Sequence, residues 1–302
     1  MDSTIYRPLV SVVIPTYNRA HYVTEAIESV LNQTYDRYEI IVVNDGSKDH
    51  TEQALAPYQD RITVITQQNA GLSAARNAGI DASRGEIIAL LDDDDRWLPH
   101  KLAVQTPLFA DPNVSLVHTG GHFYDESNGW EQNQFRGDIG LHQLLAMKII
   151  FVQTVMVRKS ILDAVGPFDV DLPAGEDLDM WLRIATKYTL TALDDCTVDI
   201  RCSSTSMQSN FENYFIYLNR VLDRHSHYHG DCADCRASRI ESRSFLRTHF
   251  YEQCKKQALS AMEEKKYGRA VKCRLKAFRY YPMALLKLPA SGFRYLGRKR
   301  ER

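Results

Sequence analysis

Short apolar runs alternate with helical repeats along the first half of the chain, and this alternation limits the folds open to it. Each run has the length of a buried strand, and most are followed by apolar residues at helical spacing. The predicted strands are Val10–Ile14, Glu39–Val43, Ile62–Ile65, Ile87–Leu91 and Val114–Val117. Because strands joined by helices pair in parallel, the pattern predicts an α/β fold with helices on both faces of a sheet.

The second half of the chain is less regular. Gly120 to Gly140 is rich in Gly, Asn and aromatic residues, which indicates a long loop, and Val152 to Val157 has the pattern of one more strand. Beyond about residue 209, amphipathic repeats continue with no strand pattern. We therefore expect two units: a sheet domain over residues 1–209 and a helical C-terminal extension with a basic tail over residues 210–302.

The composition is that of an ordinary globular protein. The chain has 302 residues, 44% of them hydrophobic and 25% charged, with a net charge of -1. This balance argues against nucleic acid as a partner. No apolar stretch has the length of a membrane span and the N-terminus lacks signal-peptide features, so we expect a cytoplasmic protein whose six cysteines are reduced.

The C-terminal tail departs from this average. Thirteen Lys or Arg residues lie between Lys265 and Arg302, with Glu301 as the single acid. Beyond Tyr281 the basic residues are interleaved with leucines and aromatic residues, as in segments that lie on anionic membranes. A solvated basic helix end fits the pattern equally well. Under the first interpretation the protein would sit peripherally on the inner face of the plasma membrane.

Four consecutive aspartates, Asp92, Asp93, Asp94 and Asp95, follow the apolar strand Ile87–Leu91. Open α/β sheets bind ligands at the carboxyl ends of their strands. Carboxylates this close repel one another unless a cation neutralises them, and a hard divalent ion carrying a phosphorylated ligand would do so. A solvated acidic turn is the alternative. The position after a buried strand favours the cation site.

Further polar groups follow the other strands, so they should converge on the same crevice. Asp45 follows the second strand and could accept a hydrogen bond from the ring N–H of uracil, although a capping role would also explain it. Arg76 lies about one turn into a helix that begins near Gly71, where it could reach a phosphate. Glu176 and Asp177 stand at another predicted helix start, where capping explains one of them.

Five segments, in this order, resemble the motifs of family 2 inverting glycosyltransferases with the GT-A fold. They are Val12–Asn18, Val43–Ser47, Asn69–Asn77, Leu91–Asp95, and Gly175–Asp177 with Trp181 and Arg183. The resemblance spans about residues 8–206. It implies the nucleotide-diphospho-sugar transferase architecture: a Rossmann-like mixed, mostly parallel sheet with helices on both faces, followed here by an α-helical extension. Any one segment alone would be weak.

The resemblance also implies roles for individual residues. Asp177 would be the catalytic base, with Glu176 as a supporting or acceptor-side carboxylate. Asp94 and Asp92 would hold Mn²⁺ or Mg²⁺. The implied nucleotide-binding residues are Pro15, Thr16, Tyr17, Asp45, Asn69, Arg76, Asp92 and Asp93. One feature departs from the family: an Arg is often followed two residues later by His, but here Arg201 is followed by Cys202 and Ser203.

The implied function is metal-dependent, inverting transfer of a sugar from a nucleotide-diphosphate donor, with UDP preferred, to an acceptor hydroxyl. The acceptor would be a glycan, a lipid-linked molecule or a protein, typically in polysaccharide biosynthesis. Two alternatives are a non-catalytic nucleotide-sugar binding protein and a sugar nucleotidyltransferase. The second would need a Gly-rich basic loop after the first strand, where this chain has Pro15-Thr16-Tyr17-Asn18. The sequence leaves the sugar and the linkage open.

Cys232 and Cys235 form a Cys-x-x-Cys pair near His227 and His229. The residue types are those of zinc sites, but a second well-spaced pair of ligands is missing. A packing role is favoured, and a metal stays the alternative.

Overall fold

A single mixed sheet lies at the centre of the molecule. The computed structural model describes residues 6–125, 129–134, 137–202, 211–227 and 232–280. Within these ranges the strands are β1 Val10–Thr16, β2 Tyr38–Asn44, β3 Thr63–Thr66, β4 Ile87–Leu90, β5 Arg96–Trp97, β6 Leu116–Asp125, β7 Trp130–Gln134, β8 Met156–Arg158 and β9 Leu190–Arg201. Their order is β3-β2-β1-β4-β8-β6-β9-β5, with β7 paired to β6.

Helices cover the sheet and continue beyond it. In the same described ranges they are α1 Ala20–Leu31, α2 Thr51–Leu55, α3 Leu72–Ala82, α4 Lys101–Gln105, α5 Leu141–Leu145, α6 Lys159–Val165, α7 Glu176–Ala185, α8 Phe211–Arg224, α9 Ala233–Glu263 and α10 Tyr267–Tyr280. The predicted mixed α/β fold with a helical C-terminal part is confirmed. Strands β1 to β4 pair in parallel, while β8 joins β4 and β6 in antiparallel fashion.

Both faces of the central parallel strands β1, β2 and β4 are largely buried. Val12 of β1 packs in one core with Ile27 of α1, whereas Val13 belongs to the opposite core together with Trp181 of α7. Alternate side chains of a strand point to opposite faces, so a strand covered on both sides must be apolar throughout. This explains the apolar runs Val12–Ile14 in β1, Ile40–Val43 in β2 and Ile87–Leu90 in β4.

The predicted loop over residues 120–140 is wrong in its first part. Strand β6 runs on to Asp125 and pairs with β7. Gly120 and Gly121 are required by close packing within the sheet: a Cβ at Gly120 would lie 2.7 Å from the carbonyl of Gln134, and one at Gly121 would lie 2.6 Å from Cδ1 of Ile200. Glycine here permits a close approach of neighbouring strands instead of marking a loop.

One other predicted strand differs from the structure, and one observed strand was not predicted. Val152–Thr154 forms a short 3-10 helix, and the strand begins only at Met156. Strand β9 was not predicted, because its middle carries the half-exposed or exposed Asp194 and Asp195 and so lacks a clear apolar pattern. It pairs in parallel with β6, and it brings Arg201 to the carboxyl ends of the central strands.

The C-terminal helices pack against the sheet domain and against each other. Leu218 and Val221 of α8 share a core with Trp181, and Cys254 of α9 packs with Ala277 of α10. The boundary near residue 209 stays a prediction. No helix in the described ranges combines the length and apolar character that a bilayer span needs. The basic tail beyond residue 280 lies outside the described residues.

Candidate active site

A cleft opens at the carboxyl ends of the parallel strands, with a cavity volume of about 630 Å³. That volume lies within the range of small-molecule sites. Every residue that the sequence assigned to a site lines it, although the individual roles remain predictions. These residues are Pro15, Thr16, Tyr17, Asp45, Asn69, Arg76, Asp92, Asp93, Asp94, Glu176 and Asp177. Segments more than 150 residues apart in sequence therefore meet in one place.

Asp45 is buried where β2 ends, and its carboxylate organises the loop before α3. Its Oδ1 accepts hydrogen bonds from the side chain of Gln67 (2.7 Å) and the backbone N–H of Ala70 (2.9 Å), and its Oδ2 accepts from the N–H of Gly71 (2.9 Å). Gly71 has a φ of 92°, which favours glycine at this helix start. Three of about four acceptor positions are used, so one on Oδ2 stays available to a ligand.

The four aspartates after β4 differ in exposure. The side chains of Asp92 and Asp94 are 28% and 20% exposed toward the cleft, compared with 9% for Asp93. Burial raises the pKa of Asp93 to about 7, with the charges of Asp94 and Asp92 adding to the effect and Arg19 opposing it. Burial and the same neighbouring carboxylates raise the pKa of Asp95 well above its usual range. The turn therefore carries more carboxyl groups than the neighbouring positive charges can keep ionised.

This donor set fits a hard divalent cation. Its exposed members offer carboxylate oxygens, the ligands that Mg²⁺ and Mn²⁺ prefer. The raised pKa values of Asp93 and Asp95 indicate a site that an additional positive charge would stabilise. Arg19 now forms an ion pair with Asp94 and lies 3.4 Å from Asp93, so a cation bound by Asp94 would have to share that carboxylate with Arg19 or displace it.

Arg76 is fully buried and joins two sides of the cleft. Its Nη2 donates to Oδ1 of Asp92 at 2.7 Å, and its Nη1 donates to Oε1 of Glu176 at 2.7 Å. The guanidinium also lies over the ring of Phe168, with its carbon 5.6 Å from the ring centroid. These ion pairs hold the pKa of Arg76 above its usual range despite its burial. Arg76 therefore fixes the start of α7 against the acidic turn.

Asp177 lies beside this bridge, in the first turn of α7. The helix begins after Gly175, whose φ of 77° lies in the left-handed region. The Oδ1 of Asp177 accepts the backbone N–H of Leu178 at 2.7 Å. Desolvation raises the pKa of Asp177 to about 7, helped by the charge of Glu176 and opposed by Arg76. A carboxylate with a raised pKa is a stronger base than an exposed aspartate. Sequence reasoning had not anticipated this shift in pKa.

Arg19, Arg201 and Tyr214 are among the residues of the cleft to which sequence reasoning gave no role. Arg201 donates from its backbone N–H to Asp95 and from its side chain to Glu25. Tyr214 comes from α8, and burial together with the charges of Asp177 and Glu176 raises its pKa. Arg19 could have been found as a basic residue that follows the first predicted strand, whereas Arg201 ends strand β9, which was not predicted. Tyr214 had no such signal.

The turn Gly166-Pro167-Phe168-Asp169 supports the site through hydrogen bonds with α3 and α7. Asn77 of α3 exchanges two hydrogen bonds of 2.8 Å with the backbone of Phe168. Arg183 of α7 donates to the carbonyls of Gly166 and Pro167, both at 2.9 Å. The turn thereby links the two helices that carry Arg76 and Asp177, which is a structural role.

The model of the glycosyl transferase family 2 matches residues 11–168, just over half of the chain. The chain therefore belongs to glycosyltransferase family 2.

Two curated relatives illustrate the likeness. An uncharacterised glycosyltransferase of Rickettsia prowazekii is 35% identical over 193 residues, covering 61% of this chain and 60% of that protein. The UDP-Glc:alpha-D-GlcNAc-diphosphoundecaprenol beta-1,3-glucosyltransferase WfgD of Escherichia coli is 31% identical over 208 residues, covering 67% of this chain and 80% of that protein. The chain spans 60% and 63% of the length of two rickettsial relatives that it matches.

Solved structures confirm the GT-A fold. S. aureus TarS in complex with UDP-GlcNAc aligns with a TM-score of 0.63 and 19% identity, covering 91% of this chain and 82% of that chain. The mannosyltransferase PcManGT of Pyrobaculum calidifontis, in complex with GDP-Man and Mn2+, aligns with a TM-score of 0.62 and 18% identity, covering 97% of this chain and 82% of that chain.

Proposed function

We propose that this chain transfers a sugar from a UDP-sugar to an acceptor hydroxyl, with inversion at the anomeric carbon and with help from a divalent metal ion. The observation that carries the proposal is the single cleft shared by Asp45, Asp94 and Asp177. It offers an acceptor for the base, hard oxygen ligands for an ion, and a general base.

The donor would lie across the ends of β1, β2 and β4. Asp45 would use its remaining acceptor position for the ring N–H of uracil, and the exposed Tyr17 would flank the base. A guanine base also presents a ring N–H, so Asp45 alone does not separate UDP from GDP. UDP is preferred because the relative WfgD, at 31% identity, is named for UDP-Glc.

Asp94 and Asp92 would hold Mn²⁺ or Mg²⁺. When bound, such an ion supplies positive charge to the departing diphosphate. Arg19 supplies a second positive charge at the same place, because it already pairs with Asp94. Arg76 keeps Asp92 and Glu176 in fixed positions and is itself fully buried, so its contribution is to positioning.

Asp177 would remove the proton of the acceptor hydroxyl. The acceptor oxygen then bonds to the anomeric carbon as the bond from that carbon to the diphosphate breaks, so that UDP leaves and the configuration inverts. The relative WfgD is named for a sugar linked through diphosphate to undecaprenol. A lipid-linked glycan is therefore the first acceptor class to test, ahead of free glycans and proteins.

The proposal predicts the behaviour of Asp177→Asn. Transfer of labelled sugar from UDP-sugars to polyprenyl-diphosphate saccharides should fall by about 10²- to 10⁴-fold, the usual contribution of a general base. UDP binding, measured by calorimetry, should stay within about twofold because Asp177 does not contact the donor's diphosphate in this proposal.

Asp171→Asn is the matched control, since Asp171 is exposed and does not line the cleft. Unchanged transfer by Asp177→Asn would contradict the assigned role. A wild-type chain that binds UDP-sugar yet transfers it to none of the three acceptor classes would favour a non-catalytic binding protein.

A further inference from the structure

A second cluster of ligand-type side chains lies apart from the cleft. The donor atoms of His142, Cys232 and Cys235 lie within 4.8 Å of one another. None of the three residues lines the cleft. His142 belongs to α5, Cys232 is the N-cap of α9, and Cys235 lies in the first turn of α9. The histidine is thus brought to the cysteine pair from about 90 residues away in sequence.

One distance within the cluster matches the separation of two ligands in a zinc site. Zinc binds sulfur at about 2.3 Å and imidazole nitrogen at about 2.0 Å in tetrahedral geometry, which places the two ligand atoms about 3.5 Å apart. The Sγ of Cys232 lies 3.5 Å from Nε2 of His142. The backbone N–H of Cys235 also points to Sγ of Cys232, at 3.5 Å, and such a bond stabilises a thiolate.

We propose that His142, Cys232 and Cys235 bind a zinc ion, with water completing the tetrahedron. The sequence favoured a packing role for Cys232 and Cys235 and left a metal as the alternative, with His227 and His229 as the nearby histidines. The histidine ligand that the described residues offer comes from α5. His229 and the side chain of His227 lie outside the described residues.

The surroundings favour a metal over a simple disulfide. Both cysteines are free thiols in the structure, and Cys235 is fully buried in the core shared with Leu144 and Leu246. A disulfide would need only the two sulfur atoms, whereas the imidazole nitrogen beside Cys232 supplies the third ligand that a metal requires. Soft thiolate and imidazole ligands select zinc over the hard ion proposed for the cleft.

A zinc ion here would join the C-terminal helices to the sheet domain. It would connect α5, whose Leu144 and Leu145 are in the main core, to the beginning of α9. Helix α8, which precedes α9, carries Tyr214 at the cleft. The ion would therefore help to hold the wall of the cleft that α8 forms, without taking part in sugar transfer.

Zinc content of the full chain tests the proposal. After incubation with zinc and removal of excess by gel filtration, elemental analysis should find about one zinc per wild-type chain. Cys232→Ser and His142→Gln should each lose it, while Cys196→Ser should retain it. Cys196 is a suitable control because it is similarly half-buried and does not belong to the cluster. A zinc-selective chelator should lower the Tm of wild type and Cys196→Ser only.

Cobalt substitution of the wild-type chain gives a second measurement that needs no variant. Thiolate ligands should produce a near-ultraviolet charge-transfer band, and tetrahedral geometry an intense visible band, at one equivalent of cobalt. Absence of both zinc and these bands in the wild type would overturn the proposal, as would zinc retained by both cluster variants. Formation of a Cys232–Cys235 disulfide in a zinc-treated chain would also overturn it, in favour of a redox pair.

Discussion

Asp45 and Asp177 are two aspartates of one cleft in contrasting surroundings. Asp45, on the wall formed by strand ends, accepts three hydrogen bonds from the loop before α3. Asp177, on the wall formed by α7 and α8, is desolvated and lies beside Glu176, and its pKa is raised to about 7. The comparison teaches that hydrogen bonding suits one carboxylate to hold a shape, while desolvation suits the other to accept a proton.

The positive charges are divided in the same way. Arg19 and Arg201 lie against the acidic turn on the strand wall. Among the described residues that line the cleft, Arg76 is the only Lys or Arg that forms an ion pair with the helix wall. Arg76 is the one of these three that contacts both walls, through Asp92 and Glu176. Substitutions on each wall should therefore have different consequences.

The largest effect on the strand wall is expected for Asp94→Asn. Transfer should fall by about 10²-fold or more, since charge stabilisation by an ion at a departing diphosphate amounts to several kcal/mol. Thermal stabilisation by UDP should lose its dependence on added Mn²⁺, measured by differential scanning fluorimetry. Asp60→Asn, at an exposed position outside the cleft, is the control. If Asp94→Asn kept its full dependence on Mn²⁺, residues other than Asp94 would have to bind the ion.

Removal of the link between the walls should destabilise the fold. Arg76→Met leaves Glu176 buried without its cation, and breaking a buried pair in this way costs about 3–5 kcal/mol. Arg243→Met, which breaks the exposed pair with Asp223, should cost about 1 kcal/mol or less. Urea denaturation of both variants measures the difference. Equal costs would show that the buried bridge is not a structural link.

Asp177, on the helix wall, should set the pH dependence of the reaction. With the pKa of Asp177 raised to about 7, the ionised base is lost as pH falls, so kcat/KM should decline about tenfold per pH unit below 7 and level off above it. Glu176→Gln removes the neighbouring negative charge and leaves Arg76 paired with Asp92 alone, and both changes lower the pKa of Asp177. The acid limb should therefore move to lower pH. An unchanged limb would mean that another group controls it.

A smaller effect is expected where α7 begins. Gly175→Ala forces a side chain into the left-handed region, at a cost of about 1–2 kcal/mol, and brings a Cβ within 3.0 Å of Leu218 on α8. Gly268→Ala is the control, since that glycine lies in α10 with open space around it. It should leave stability unchanged or raise it by up to about 1 kcal/mol. Thermal denaturation compares the two.

The family, the parallel strands β1 to β4 and the polar segments that line the cleft after β1, β2 and β4 were predictable from sequence. Each depends on a short stretch: a buried strand such as β4 is apolar throughout, and Asp92 to Asp95 follow it directly. Strand β9 and the β6–β7 pairing were not predictable, because Gly120 and Gly121 have the pattern of a loop until their neighbours across the sheet are known. The same is true of His142 and its approach to Cys232.

The sequence by itself determined which carboxylates stand at the ends of strands and at the start of α7. Only the tertiary structure decided that Arg76 bridges Asp92 and Glu176, that Tyr214 of α8 lines the cleft, and that the pKa of Asp177 rises to about 7. The reason is physical: strand and helix preferences depend on near neighbours along the chain, whereas burial and charge pairing depend on groups that meet only after folding.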